Sequence, residues 1–85
     1  MQKKSFITAD MDEGALLLSL GETFIGTKVA GNGYITFEFE YSPTIEKSHQ
    51  EYLSGCTTIP TNILFANLRK IRSMYLRTKQ EGGIR

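Results

Sequence analysis

Eighty-five residues, 40% of them apolar and nine aromatic, make one domain; such a chain buries about 60–65% of its unfolded surface in one modest core, and its composition excludes disorder. The net charge of +1 hides a split: residues 60–85 carry six cations against Glu81, whereas residues 1–59 carry four lysines against eight acids. One cysteine, Cys56, excludes an internal disulfide and a multi-cysteine zinc site, and no apolar run approaches the roughly 20 residues of a membrane span.

The expected setting is cytoplasmic, since the single thiol suits a reducing compartment. Met1-Gln2-Lys3-Lys4 has the charge of a leader, but Asp10, Asp12 and Glu13 interrupt any apolar segment behind it.

Ser5 to Ala9 reads as a short extended lead-in carrying Phe6 and Ile7. Asp10-Met11-Asp12-Glu13 fits a capping box, with Asp10 as N-cap and Glu13 at N3. The helix that follows, over about 11–20, has Met11, Ala15 and Leu18 on one stripe, widened by Leu16, Leu17 and Leu20, and Gly21 stops it. Strands are expected at 24–29 and 34–41. The second alternates, with Ile35, Phe37, Phe39 and Tyr41 on one face and Tyr34, Thr36, Glu38 and Glu40 on the other. A two-residue Asn32-Gly33 turn would mix the faces. A three-residue loop, 31–33, with Gly33 left-handed, keeps them apart by pairing Val29 with Ile35, Thr27 with Phe37 and Ile25 with Phe39.

Ser42-Pro43 starts a helix over 43–54, with Ile45, His49, Tyr52 and Leu53 on one side and Gly55 at its end. Pro60 opens the last helix, about 60–79, whose cap the sequence leaves open between Thr58, Ile59 and Thr61. Its core stripe is Leu64, Leu68, Ile71 and Tyr75. Ile63 and Met74 flank it on one side, Phe65 and Leu76 on the other. The order is (β)-α-β-β-α-α, an α+β domain over residues 1–81 in which three helices cover the Ile35/Phe37/Phe39 face of a hairpin or small sheet. Residues 82–85, opening with Gly82-Gly83, are expected to form a flexible tail.

Thr8-Ala9-Asp10 before a leucine-rich helix, the strand start at Gly21 to Gly26, Phe37-Glu38-Phe39, Tyr52-Leu53-Ser54-Gly55 and the closing Leu68-Arg69-Lys70-Ile71-Arg72-Ser73-Met74-Tyr75 form a pattern over about 6–77. It resembles a family of small domains of unknown function known mainly from phages and prokaryotic genomes. The resemblance implies this fold and a phage or mobile-element setting. It carries no catalytic residues.

The basic end of the last helix is the main functional lead. Arg69, Lys70, Arg72 and Arg77, with Lys79 beyond, suit a polyanion or an acidic protein patch. The plain alternative is a solvated face balancing Glu38, Glu40 and the acidic first helix. Phe24 and Tyr34 among the acids of the outer hairpin face suggest the rim of a partner-binding surface. An open sheet edge makes a homodimer a further expectation.

Other motifs carry less. Glu46 and His49 stand at i, i+3, as in carboxylate-bridged metal centres, but those need further ligands. Gly21 to Lys28 imitates a phosphate loop with the wrong order of Lys and Thr, and along a strand. Cys56 has no base beside it in sequence. Neither a metal nor a cofactor is expected, and the chain does not read as an enzyme. The leading expectation is an accessory or regulatory protein acting by protein–protein interaction, with a host or defence component as its partner. The alternative is nucleic-acid binding through the last helix.

Overall fold

A computed structural model describes residues 4–81. The elements are β1 (Ser5–Thr8), α1 (Met11–Ser19), β2 (Phe24–Val29), β3 (Ile35–Glu40), α2 (Pro43–Leu53) and α3 (Thr61–Glu81), the α+β order the sequence predicts. The tail expected at 82–85 lies outside the described residues. No described helix is long and apolar enough to cross a membrane.

The lead-in is a full strand. β1 and β2 both pair antiparallel with β3, so the sheet runs β1-β3-β2 and the most buried strand is central. Alternation along β3 sends Phe37 and Phe39, both fully buried, and Ile35 toward the helices. Phe6 lies opposite Phe39 and shares that face, while Ile7, opposite Glu38, is 55% exposed on the outer face. Lys28 pairs with Glu38 across the outer face at 3.3 Å. The Ser5 hydroxyl and then Lys28 hold the Glu38 carboxyl below the usual carboxylate range.

The three-residue loop forms as expected. Gly33 has φ +88, the left-handed region that favours glycine. The Ala30 N–H donates to the Tyr34 carbonyl at 2.7 Å, and the Gly33 N–H to the Ala30 carbonyl at 2.9 Å. Val29 opposes Ile35 and Thr27 opposes Phe37, but the expected Ile25–Phe39 pair does not form. A bulge between Phe24 and Gly26 brings Phe24 opposite Phe39, where the rings meet edge to face at 5.3 Å. Ile25 is left 52% exposed. A phenyl ring covers more of the core than an isoleucine and gains an aromatic contact, and the extra residue of a bulge lets it turn inward. Phe24 is therefore a core neighbour, half-buried, and does not belong with Tyr34 on an exposed face.

α1 lies on the inner face with Gly14, Ala15, Leu16 and Leu17 buried. The approach is close at Gly14, where an added Cβ would stand 3.3 Å from Ile71 Cδ1 of α3 and 3.7 Å from the Phe37 ring. Asp10 is the N-cap, its Oδ1 accepting from the N–H of Asp12 at 2.9 Å and of Glu13 at 3.4 Å. The reciprocal half of the capping box is missing. The Asp10 N–H donates instead to Thr8 Oγ1 at 3.1 Å, and the Glu13 side chain turns inward, 3% exposed. There Glu13 Oε1 accepts from Thr8 Oγ1 at 2.9 Å and Oε2 meets His49 Nδ1 of α2.

α1 and α2 end in the same paired motif. The Glu22 N–H reaches the Leu17 carbonyl and the Gly21 N–H that of Leu18; Cys56 and Gly55 repeat this with Glu51 and Tyr52. Ser42 caps α2, accepting from the Ile45 N–H at 3.1 Å, with Pro43 at its first position. Ile45 and Ser48 are the buried residues of α2. Leu53, expected on the packed side, is 64% exposed, because that side centres between Ile45 and Ser48 and Leu53 sits about 110° round the helix from it.

Candidate functional site: the outward face of the last helix

α3 begins where the Pro60 carbonyl accepts from the N–H groups of Ile63 and Leu64, 3.1 Å each, making Pro60 the boundary residue. Its 21 residues span about 31 Å, against about 13 Å for the nine of α1 beside it. α1, β2 and β3 meet α3 from one side and cover one stripe of it. Leu64, Leu68, Ile71, Tyr75 and Thr78 follow one another at spacings of 4, 3, 4 and 3 and face the body, with Ile71 fully buried and the others half-buried. Asn67 Nδ2 donates to Ser19 Oγ at 2.8 Å, and the Thr78 hydroxyl bonds that of Thr27 on β2.

One residue further along, the same spacing recurs on the open side in Phe65, Arg69, Arg72, Leu76 and Lys79, all exposed. Phe65 and Leu76, expected to flank the core, are 53% and 51% exposed, as is Ile63 at 43%. Lys70, Ser73 and Arg77 continue the exposed surface round the helix.

Two shallow hollows mark this surface. Phe65, Leu68, Arg69 and Arg72 line one of about 260 Å³. Ala66, Arg69, Lys70, Ser73, Met74 and Arg77 line another of about 450 Å³, with Arg69 as the shared wall. Small side chains at Ala66 and Ser73 give the second its depth.

Three of the acids expected to balance this face, Glu38, Glu13 and Asp10, are engaged elsewhere. Glu38 pairs with Lys28 on the far side of the sheet. Glu13 is taken by His49 and Thr8, and Asp10 Oδ2 accepts from the Tyr52 hydroxyl at 2.6 Å. Among the described residues none of Arg69, Lys70, Arg72, Arg77 and Lys79 makes an ion pair.

Tyr34 is 65% exposed but belongs to a different surface. It lines a hollow of about 430 Å³ with Ala9, Asp10, Met11, Gly33, Ile35 and Tyr75, and none of the five cations reaches it.

The polar cluster of Thr8, Asp10, Glu13, His49 and Tyr52 was not foreseen as a unit. It fastens β1, the start of α1 and α2 together, with the Phe6 ring edge-on to His49 at 5.1 Å. The Tyr52 phenol is pushed well above its ordinary value, first by donating to Asp10, then by burial and by the nearby Asp10, Asp12 and Glu13 charges. Of the cluster, Asp10 alone borders one of these hollows. The Glu46–His49 pair is not brought together: His49 turns to Glu13, and Glu46 accepts from Tyr41, raising that phenol. Among the described residues no three His, Cys, Asp or Glu side chains group to hold a metal ion. Cys56 is exposed and its N–H closes the end of α2.

Compared with protein-family models, with curated proteins and with solved structures, the chain matches none. The functional reading therefore rests on the geometry of α3. The five cations that the sequence offers as candidates are exposed on this helix. Phe65 and Leu76, assigned by the sequence to the flank of the core, join them on the exposed side, and the signal that would have placed them there is the second 4-3-4-3 stripe, one residue out of step with the first.

Proposed function

We propose that this chain is a small non-catalytic binding protein that docks an acidic protein partner on the outward face of α3. One observation carries the reading: exposed Phe65 and Leu76 bracket Arg69 and Arg72 on one stripe, and those arginines have no ion pair among the described residues. Arginine beside aromatic and aliphatic side chains is the composition of protein-binding surfaces. The role proposed for it is accessory or regulatory, against a host or defence component.

Nucleic-acid binding is the second reading, favoured by five cations along one helix whose one acid is Glu81. A phosphate backbone, however, gives no use to Phe65 and Leu76. The sheet edges offer less to a partner. β1 has four residues and β2 carries a bulge, both features that discourage strand addition.

Capture from a nuclease-treated bacterial lysate, followed by rebinding of the captured protein in purified form, separates the readings. A protein partner is expected to bind the native chain and to be lost both with Phe65→Gln/Leu76→Gln and with Arg69→Ala/Arg72→Ala. Binding of DNA alone, weakened steeply by salt and indifferent to Phe65→Gln/Leu76→Gln, would replace this reading with the second.

A further inference from the structure

We infer that the partner presents an acidic amphipathic α-helix, laid along α3 with its apolar side chains against Phe65 and Leu76 and its carboxylates over Arg69, Arg72 and Lys79. This rests on α3 being a protein-docking face. It goes further by fixing the partner's secondary structure and charge.

The first argument is spacing. Phe65, Arg69, Arg72, Leu76 and Lys79 recur every 3.5 residues on average, the period at which one helix keeps the same seam against another. A strand, with its period of two and its rise of about 3.3 Å, falls out of step with such a stripe within a turn or two.

The second is the shape of the hollows. Phe65, Leu68, Arg69 and Arg72 stand at i, i+3, i+4 and i+7, the four-residue diamond that receives a side-chain knob from a facing helix. The larger hollow is two more such diamonds in succession, Ala66/Arg69/Lys70/Ser73 and Lys70/Ser73/Met74/Arg77. The larger hollow lies about 100° or more further round α3, so the seat of the partner helix is the Phe65/Leu68/Arg69/Arg72 hole and the stripe that continues from it to Leu76.

The third is charge. Each hole has at least one cation on its rim. A second copy of α3 would set arginine against arginine, which opposes self-pairing along this seam. Carboxylates on a different helix complete the pairs, and Phe65 and Leu76, about 16 Å apart along the axis, anchor its two ends.

The test is fluorescence anisotropy with the full chain and four probes. These are a helix-forming peptide of about 20 residues with Leu and Glu along one face at 4-3 spacing, a scramble of it that retains composition but no face, polyglutamate and duplex DNA. The facial peptide is expected to bind about tenfold or more tighter than its scramble. It should weaken by about tenfold with Phe65→Gln/Leu76→Gln and again with Arg69→Gln/Arg72→Gln, each variant first shown to fold by circular dichroism. Equal affinity for peptide and scramble would overturn the helical partner while leaving an acidic protein partner standing. Binding of DNA with neither peptide bound would overturn both. A facial peptide that fails to bind at all overturns the inference, and the docking reading then stands or falls on the capture experiment.

Discussion

Tyr52 and Glu13 show how single side chains secure α2 to the rest of the domain. Tyr52 donates to Asp10 at 2.6 Å, so removing its hydroxyl leaves that cap one donor short. Tyr52→Phe is expected to cost about 1–2 kcal/mol near neutral pH, measured by urea unfolding. The phenol keeps its proton more tightly folded than unfolded. Its contribution is therefore complete below the ordinary tyrosine value of 10.0 and is lost as pH rises above it. The native protein should lose stability from about pH 10 upward, and Tyr52→Phe should show a shallower fall over that range. Equal slopes in both proteins would mean that the hydroxyl has no such role. Asp10 was legible in the sequence because a cap is a local event between residues two or three apart. Glu13 was legible only by half. Its position at N3 fits a capping box, but its partner His49 lies 36 residues on and belongs to the tertiary packing.

Among elements, the contact of α1 with α3 turns on Gly14. Replacing a mid-helix glycine by alanine ordinarily stabilises a helix by up to about 1 kcal/mol. Here the new Cβ would lie 3.3 Å from Cδ1 of the fully buried Ile71, tighter than an ordinary contact, so that methyl must give way within the core. Gly14→Ala is expected to destabilise by about 1 kcal/mol. Ile71→Val, which deletes that methyl, should cost a similar amount alone. The double variant should cost clearly less than the two together, because the alanine then keeps its helical advantage; a double-mutant cycle in urea reads this coupling. Simple additivity would show that the helices separate freely. The strands divide in the same way between local and non-local causes. The loop at 31–33 and the pairs nearest it follow from Gly33 and the alternation of β3, all within a few residues. The bulge follows from a competition between Phe24 and Ile25 for the place beside Phe39, which is decided by the shape of the core.

The whole molecule is a sheet with helices on one face, and its last helix outruns the neighbour it packs against. Its neighbours α1, β2 and β3 all lie on one side of it, and this explains the part of the candidate site the sequence did not yield. The charge of residues 60–79 is visible in composition alone. Whether Phe65 and Leu76 flank the core or face outward depends on how far round α3 its neighbours α1, β2 and β3 reach, a property of the assembled layers. The central claim is that α3 has two working faces, one for the fold and one for a partner. Urea unfolding of Phe65→Gln/Leu76→Gln beside Ile71→Ala tests it most directly, since glutamine keeps the helix and removes only the apolar surface. The paired outward substitution is expected to stay within about 0.5 kcal/mol of the native protein for each site, while Ile71→Ala should lose about 2–5 kcal/mol. A loss of several kcal/mol from the outward pair would mean that Phe65 and Leu76 serve this chain's own core, and the docking face would not exist.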